Sequence, residues 1–445
     1  MGLLIKKNII YASLTNVCRL VLSVVLLVSG FVKAVDPMGA MYKLQEYASA
    51  FSADVLSDEW LLFFAIVHAA LEFLAGIFLL LGVYRKPLAA FVLLMFLFFT
   101  PFTLYIAIYG PVDDCGCFGE AVVLTNTETF VKNLILLVMA VVVFLGRRRF
   151  VCNLSSKSRW MAVIFSIFYI AILQGVSLSH LPVVDFRPYA VGNNLREMVQ
   201  ASYDTYDVVS IYEKNGEKRE FHQDNLPDSS WVFVESRSEL VSKAKEPLMS
   251  DFSIVDWDED YDIAQEVLAD TGYVCILAIE DVNTASVSRV DKINDLYDYC
   301  LEYSVPLYAA TSSEGEDIDL WRRRTGAEYP IYWADVSLLR TMVRANPGII
   351  LLKNGVVVGK WDAADIPDVE LLPSSPTKMP DKVPTFISSM RGLHMWMLLF
   401  FVPILFIVIL DCFVGPKQNR VQEQNAGTMH EAVPDNRNEN EVENK

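Results

Sequence analysis

Cys115 and Cys117 stand one glycine apart in Asp113-Asp114-Cys115-Gly116-Cys117-Phe118-Gly119, and they are the only two of seven cysteines that lie close in the chain. Two thiols at that spacing can close a small disulfide, share a soft metal ion, or exchange electrons with a partner thiol. One intervening residue makes a tighter ring than the common two-residue redox spacing, and glycine relieves part of the strain. A strained disulfide is the more oxidising and labile kind. Redox exchange and a static disulfide that pins its loop are both open. A metal site is incomplete for zinc, since two thiolates have no histidine nearby.

Glu72 is the second candidate. It interrupts an apolar run, where an ionisable side chain costs about 2.5–3.5 kcal/mol, so it should face a bundle interior or a partner. His68, four residues earlier, shares its helical face. A His-Glu pair at mid-depth can relay protons or hold a quinone head group. It can equally be a packing hydrogen bond to a Ser, Thr or Tyr of a neighbouring helix. The catalytic candidates are therefore Cys115, Cys117, Glu72 and His68, with quinone as the one cofactor in view. Lys33, nearer the end of its run, is expected to snorkel to the surface. The acidic stretch Asp256-Trp257-Asp258-Glu259-Asp260-Tyr261-Asp262 fails as a calcium loop. Tyr261 stands where glycine is needed and Val267 where the bidentate Glu is needed. It reads better as an acidic lead-in to a helix N-terminus.

The elements that must position these residues are membrane spans. Hydrophobic residues make up 53% of the 445, concentrated in runs of the roughly 20 residues a transmembrane helix needs. Six spans are expected, at 17–35, 60–84, 88–109, 130–146, 160–179 and 393–414, and Pro101 should kink the third. The first is too long for a signal-peptide core and has no small-residue cleavage site. The net charge of −17 sits mainly in the polar middle and tail, which argues against nucleic acid and anionic lipid as partners there.

Lys6, Lys7, Arg85, Lys86, Arg147 to Arg149, Lys157, Arg159, Lys417 and Arg420 all fall on one side of the six spans. By the positive-inside rule that side is the cytoplasm, with both termini. The cysteine loop and residues 180–391 then face outward, into a compartment where disulfides persist. Cys18, Cys152 and Cys412 lie on or near the reducing side and read as packing residues.

The outward segment has an α/β pattern. A hairpin is expected at 208–222 around Asn215-Gly216. Strands come next at 230–235, 273–279 and 306–310, with helices near 260–269, 286–302 and 318–325. A closing hairpin at 348–361 is entered through Asn346-Pro347. This order resembles a thioredoxin fold, and Pro347 occupies the family's cis-proline position. The family's redox pair should open the helix after the first central strand. Here that stretch reads Glu280-Asp281-Val282-Asn283-Thr284-Ala285-Ser286, with no cysteine. Cys275 and Cys300 flank it as buried structural thiols. Binding, without thiol catalysis of its own, is the expected role of this domain. Residues 373–392, with their prolines and serines, read as a linker. The polar tail, 415–445, is expected to be disordered.

Three stretches carry a further resemblance: Ser29-Gly30-Phe31-Val32-Lys33-Ala34-Val35-Asp36-Pro37, Ala70-Leu71-Glu72-Phe73-Leu74-Ala75-Gly76, and Cys115-Gly116-Cys117-Phe118-Gly119. With them, residues 1–150 resemble the DoxX-like family and, more narrowly, its MauE-type branch. The fusion to an outward thioredoxin-like domain is similar to DoxX-type proteins of Bacteroidetes-like bacteria. The resemblance implies a four-helix transmembrane domain at 1–150, associated with membrane redox systems or with maturation of disulfide-containing periplasmic enzymes. A fifth span at 151–180 and a soluble domain at 181–372 would come next, with the sixth span at 393–414. The fold class is thus a membrane α-helical bundle plus an α/β thioredoxin-like domain, in a bacterial inner membrane. Two functions remain open. One is extracytoplasmic thiol–disulfide exchange with a periplasmic or membrane protein partner, through Cys115 and Cys117. The other is a non-enzymatic anchor or assembly factor whose soluble domain holds a client and whose disulfide is structural.

Overall fold

A computed structural model describes residues 2–52, 56–112, 114–148, 154–200, 205–214, 216–222, 227–228, 230–242, 249, 252–257, 261–369 and 390–430. The chain divides into two compact units, residues 1–184 with 389–445, and residues 185–388. In the first unit, α1 (Gly2–Val35), α3 (Asp58–Leu81), α4 (Arg85–Tyr109), α5 (Asn126–Gly146) and α6 (Ser156–Ser179) are long and apolar. Between the first two of these lies a shorter helix, α2 (Pro37–Ala50). Leu22 and Leu26 of α1, Leu79 of α3, Val92 and Phe96 of α4 and Val143 of α5 meet in one core, so α1, α3, α4 and α5 form the bundle.

The α1–α3 contact is built on glycine. A Cβ on Gly30 would lie 2.3 Å from the backbone N of Phe73, and one on Gly76 would lie 2.6 Å from the N of Leu27. Small residues at such crossings let two backbones touch, the packing that holds helices together where no hydrophobic force separates helix from lipid. Pro101 lies inside α4, and around it Thr100 and Thr103 donate to the carbonyls of Phe96 and Phe99. Asn133 of α5 reaches across to the Thr103 hydroxyl. The helix α2 occupies part of the segment between the first two spans. Asp36 caps it by accepting from Gly39 N, and Pro37 sits at its first turn, the position where a missing N–H costs nothing.

The second unit begins with a short helix, α7 (Leu195–Val199), and a three-stranded antiparallel sheet in the order β2-β1-β3. Its strands are β1 (Thr205–Lys214), β2 (Glu217–His222) and β3 (Val232–Ser242). Gly216, at φ +83°, turns the hairpin. The larger sheet has the order β10-β9-β6-β7-β8-β4-β5. Its strands are β4 (Val255–Asp256), β5 (Tyr261–Asp262), β6 (Tyr273–Ile279), β7 (Leu307–Thr311), β8 (Ile331–Trp333), β9 (Gly348–Lys353) and β10 (Val356–Asp362). Its helices are α8 (Ala264–Ala269), α9 (Val290–Glu302), α10 (Gly315–Thr325) and α11 (Val336–Met342). β6, β7 and β8 are parallel, β9 returns antiparallel to β6, and β10 closes the hairpin. A cis peptide precedes Pro347 at the entry to β9. Strand order, crossover helices and terminal hairpin make this a thioredoxin-like α/β unit. Every residue of β6 is buried, as befits a central strand covered on both faces.

The last helix, α12 (Met390–His430), rejoins the first unit. Tyr169 of α6 donates to the Trp396 carbonyl, and Asp411 accepts from Ser155 N and the Ser158 hydroxyl. Among the described residues, six helices, at Ile10–Val35, Asp58–Leu81, Arg85–Tyr109, Asn126–Gly146, Ser156–Ser179 and Gly392–Phe413, are long and apolar enough to cross a membrane. Two expectations change. The tail after residue 415 is helical as far as His430, because extending an established helix avoids the unfavourable nucleation step. Cys412 is exposed, not packed, whereas Cys18 is buried in the bundle. Cys152, residues 373–389 of the linker and residues 431–445 lie outside the described residues, and residues 390–392 of the linker already belong to α12.

Candidate functional site

The cysteine loop hangs between α4, which ends at Gly110 in the left-handed conformation, and α5, which starts on a Thr125–Glu128 capping box. Asn126 fastens its base by donating to the Val112 carbonyl at 2.8 Å. Within the loop, Gly116 and Gly119 have φ of +63° and +52°, a region that L side chains resist. Gly119 N donates to Gly116 O at 3.0 Å and closes a turn around Cys117. The turn brings the two Sγ atoms to 2.9 Å, with both residues half-buried. They are thiols in this structure, and a dithiol at that separation is poised either to bond or to exchange.

Three elements grip the loop. From α2, Tyr47 donates its hydroxyl to the Cys115 carbonyl at 2.8 Å, and Lys43 pairs with Asp114 at 2.6 Å. The other oxygen of Asp114 accepts from Gly116 N at 2.8 Å. From α1, the Ser29 hydroxyl lies 2.7 Å from the Cys117 carbonyl and 2.8 Å from Glu72 Oε2. From α5, Lys132 sits over the Phe118 ring at 4.5 Å.

The Gly30 and Gly76 contacts explain the buried charges. With the two backbones touching, Lys33 reaches Glu72 at 2.7 Å and also donates to Ser29 Oγ at 3.1 Å. His68 Nε2 stands 3.3 Å from the other Glu72 oxygen. The Lys33 side chain is only 11% exposed and that of Glu72 8%. Lys33 therefore does not snorkel: its ammonium is an ion-pair partner, since two buried charges are tolerable only when paired and hydrogen-bonded. Ser29 has one hydroxyl proton for two acceptors. It joins the Glu72 cluster to the backbone of the cysteine loop.

The dithiol is electrostatically asymmetric. Its mutual hydrogen bond and burial push Cys115 well above the usual thiol range. The hydrogen bond that Cys115 donates, with the charges of Lys132 and Lys33 working against burial, draws Cys117 down to about 6. Burial and the neighbouring Cys115 push the Tyr47 phenol upward, so it remains a neutral donor.

Ser29 thus links Glu72, which His68 approaches, to the Cys117 carbonyl, and Cys117 in turn meets Cys115. Sequence reasoning passed over Ser29, Tyr47, Lys43, Asp114 and Lys132. Ser29 and Lys33 are four apart and share a face, the one available sign that Lys33 points inward. Pro347 belongs to the other unit, at the pole of the sheet beside the cysteine-free loop after β6. There Ser286 N donates to Asn346 O, Val282 N donates to the Ser313 hydroxyl, and Asn346 donates to the Asp281 carbonyl. Hydroxyl and amide groups occupy that pole.

Residues 11–146 match the family described as methylamine utilisation protein MauE; the membrane part is a MauE-type domain. Residues 206–243, which include the three-stranded sheet, match a domain of unknown function, DUF8463. No curated protein matches the chain. Among solved structures, the chain is similar to a solution structure described as a protein disulfide isomerase from Bacteroides thetaiotaomicron. The likeness has 17% identity over 25% of this chain and 75% of that one, with a TM-score of 0.21.

Proposed function

We propose that this multi-pass membrane protein takes part in extracytoplasmic thiol–disulfide exchange, with Cys117 as the attacking thiolate and Cys115 as the resolving thiol. The Cys117 thiolate attacks a partner disulfide, forming a mixed disulfide and releasing one partner thiolate. Cys115, losing its proton, then attacks Cys117 Sγ. This closes Cys115–Cys117 and releases the second partner thiolate. Two electrons pass to the partner, and the reverse sequence oxidises a partner dithiol. The observation that carries the reading is the 2.9 Å pair, with one thiol held near 6 and the other held protonated. A thiolate, not a thiol, is the nucleophile.

Glu72, Lys33 and Ser29 position the loop in this reading. His68 is half-exposed and packs on Phe99 at 5.5 Å. It is the group a membrane quinone would meet, and it could supply that quinone with a proton. The soluble unit, thioredoxin-like and without a thiol at its Pro347 pole, would hold the client protein.

The test is trapping of mixed disulfides in intact membranes. A Cys115→Ser variant should accumulate a partner on Cys117, and Cys117→Ser should accumulate far less. If neither traps a partner, and the wild-type pair stays oxidised in cells lacking thiol oxidases, the disulfide is structural and the protein an anchor.

A further inference from the structure

A second cysteine pair lies in the soluble unit. Tyr273, Cys275, Leu277 and Ile279 are alternate residues of β6 and enter one core cluster with Val290, Ile293, Tyr299 and Cys300 of α9. Alternation along a strand sends these side chains to a single face, so Cys275 points into the layer that α9 covers. Both cysteines line the same small apolar cavity of about 30 Å³, with Tyr273, Leu296, Tyr299 and Trp361 around it. Both residues are buried, and the structure holds them as thiols. The strand is fixed on both sides, with Cys275 opposite Leu307 of β7 and Leu351 of β9, so the position of Cys275 is defined. A lone buried thiol reads as a small hydrophobe; two lining one apolar cavity do not.

We infer that Cys275 and Cys300 close a buried disulfide tying the central strand to the helix that comes after it. This rests on the outward, oxidising placement of the soluble unit. The bond forms during folding, before the core excludes solvent. One thiolate attacks an incoming protein disulfide, and the second resolves the mixed disulfide. The two thiols become one S–S bond, and the oxidant leaves as two thiols. Once the core has closed, Cys275 and Cys300 are buried away from any outside thiol or disulfide, so the folded pair does not exchange. The Cys115 and Cys117 pair is half-exposed by contrast. One chain would then carry a dithiol built to turn over and another built to be locked.

The test uses the full chain, extracted in detergent with a thiol-blocking reagent, unfolded without reductant, relabelled and mapped by peptide mass spectrometry. In most molecules the peptides containing Cys275 and Cys300 should be linked, lighter by two hydrogens, and take up label only after reduction. Cys275→Ser should leave Cys300 quantitatively labelled, and the converse variant should leave Cys275 labelled. As a second measurement, a reductant present throughout thermal unfolding should lower the midpoint of the wild type and leave that of a Cys275→Ala/Cys300→Ala chain unmoved. Protease added to spheroplasts reports the placement separately. A cleaved, outward domain whose two thiols label freely overturns the disulfide alone. A protected, inward domain overturns the placement and the disulfide with it.

Discussion

The loop after α4 and the loop after β6 are opposites. The soluble unit has the scaffold on which thiol exchange is familiar, with parallel strands, a helix opening after the central strand and a cis proline beside it. At that pole it carries Asp281, Ser286, Ser313 and Asn346. The membrane unit has two thiols 2.9 Å apart on a helical bundle, with the Cys115 hydrogen bond first and lysines from two helices after it lowering Cys117. Thiol reactivity depends on local charge and access, not on a particular fold. Under the proposed function the two regions divide the labour, with chemistry at the bundle and recognition on the soluble unit.

The largest effect should come from the nucleophile. Cys117→Ser is expected to lower exchange with a model disulfide by about a thousandfold or more, as losing a covalent nucleophile does, while Cys275→Ser leaves the rate unchanged. Both are measured as thiol release in proteoliposomes. Equal losses from the two substitutions would erase the distinction between the regions.

Next in size is Glu72→Ala. It strands Lys33 in the bundle and should destabilise the membrane unit by about 3–5 kcal/mol, the usual penalty for removing one partner of a buried pair. Thermal unfolding in detergent reads this. A double variant, Glu72→Ala with Lys33→Ala, should recover part of the loss, because the uncompensated charge has gone.

The pH dependence is smaller and has a definite sign. Cys117 sits near 6, well below an ordinary thiol, so its reactive thiolate is lost as pH falls through that value. Alkylation of Cys117 should drop about tenfold between pH 7 and pH 5 and level off above pH 7. Lys132→Gln should shift the curve upward. A midpoint that stays near 8.5, the value for a free thiol, would remove the electrostatic basis for assigning Cys117 as the attacker.

How much the sequence made legible depends on how local each signal is. The spans and the hairpin at Gly216 rest on runs and turns of a few residues. Pro347 and the cysteine-free stretch at 280–286 could be placed because strand order is written along the chain. Lys33 was misread because snorkelling is judged along one helix, whereas its partner arrives through a crossing that Gly30 and Gly76 permit from two helices. Ser29, Tyr47 and Lys132 escaped notice for the same reason. Each is an ordinary residue on its own element and becomes part of the site only where α1, α2 and α5 converge on one loop. The Asp36-Pro37 start of α2 was a readable cap, overshadowed by the polar residues further along that helix.

The smallest effect tests the soluble pole. The Ser313 hydroxyl accepts from Val282 N at 3.1 Å and donates to Asp281 at 3.3 Å, which anchors the loop that stands where a redox pair would be. Ser313→Ala leaves one amide unsatisfied and should cost about 1 kcal/mol in that unit, lowering its thermal midpoint by a few degrees. Because no thiol is involved, exchange of a small disulfide at Cys117 should stay at the wild-type rate, while exchange with a protein client should slow as its docking loop loosens. If the small-molecule rate falls as well, the two regions act on one reaction and recognition cannot be separated from chemistry. If the client rate is also unmoved, the soluble pole plays no part in holding the client, and the bundle alone selects what it meets.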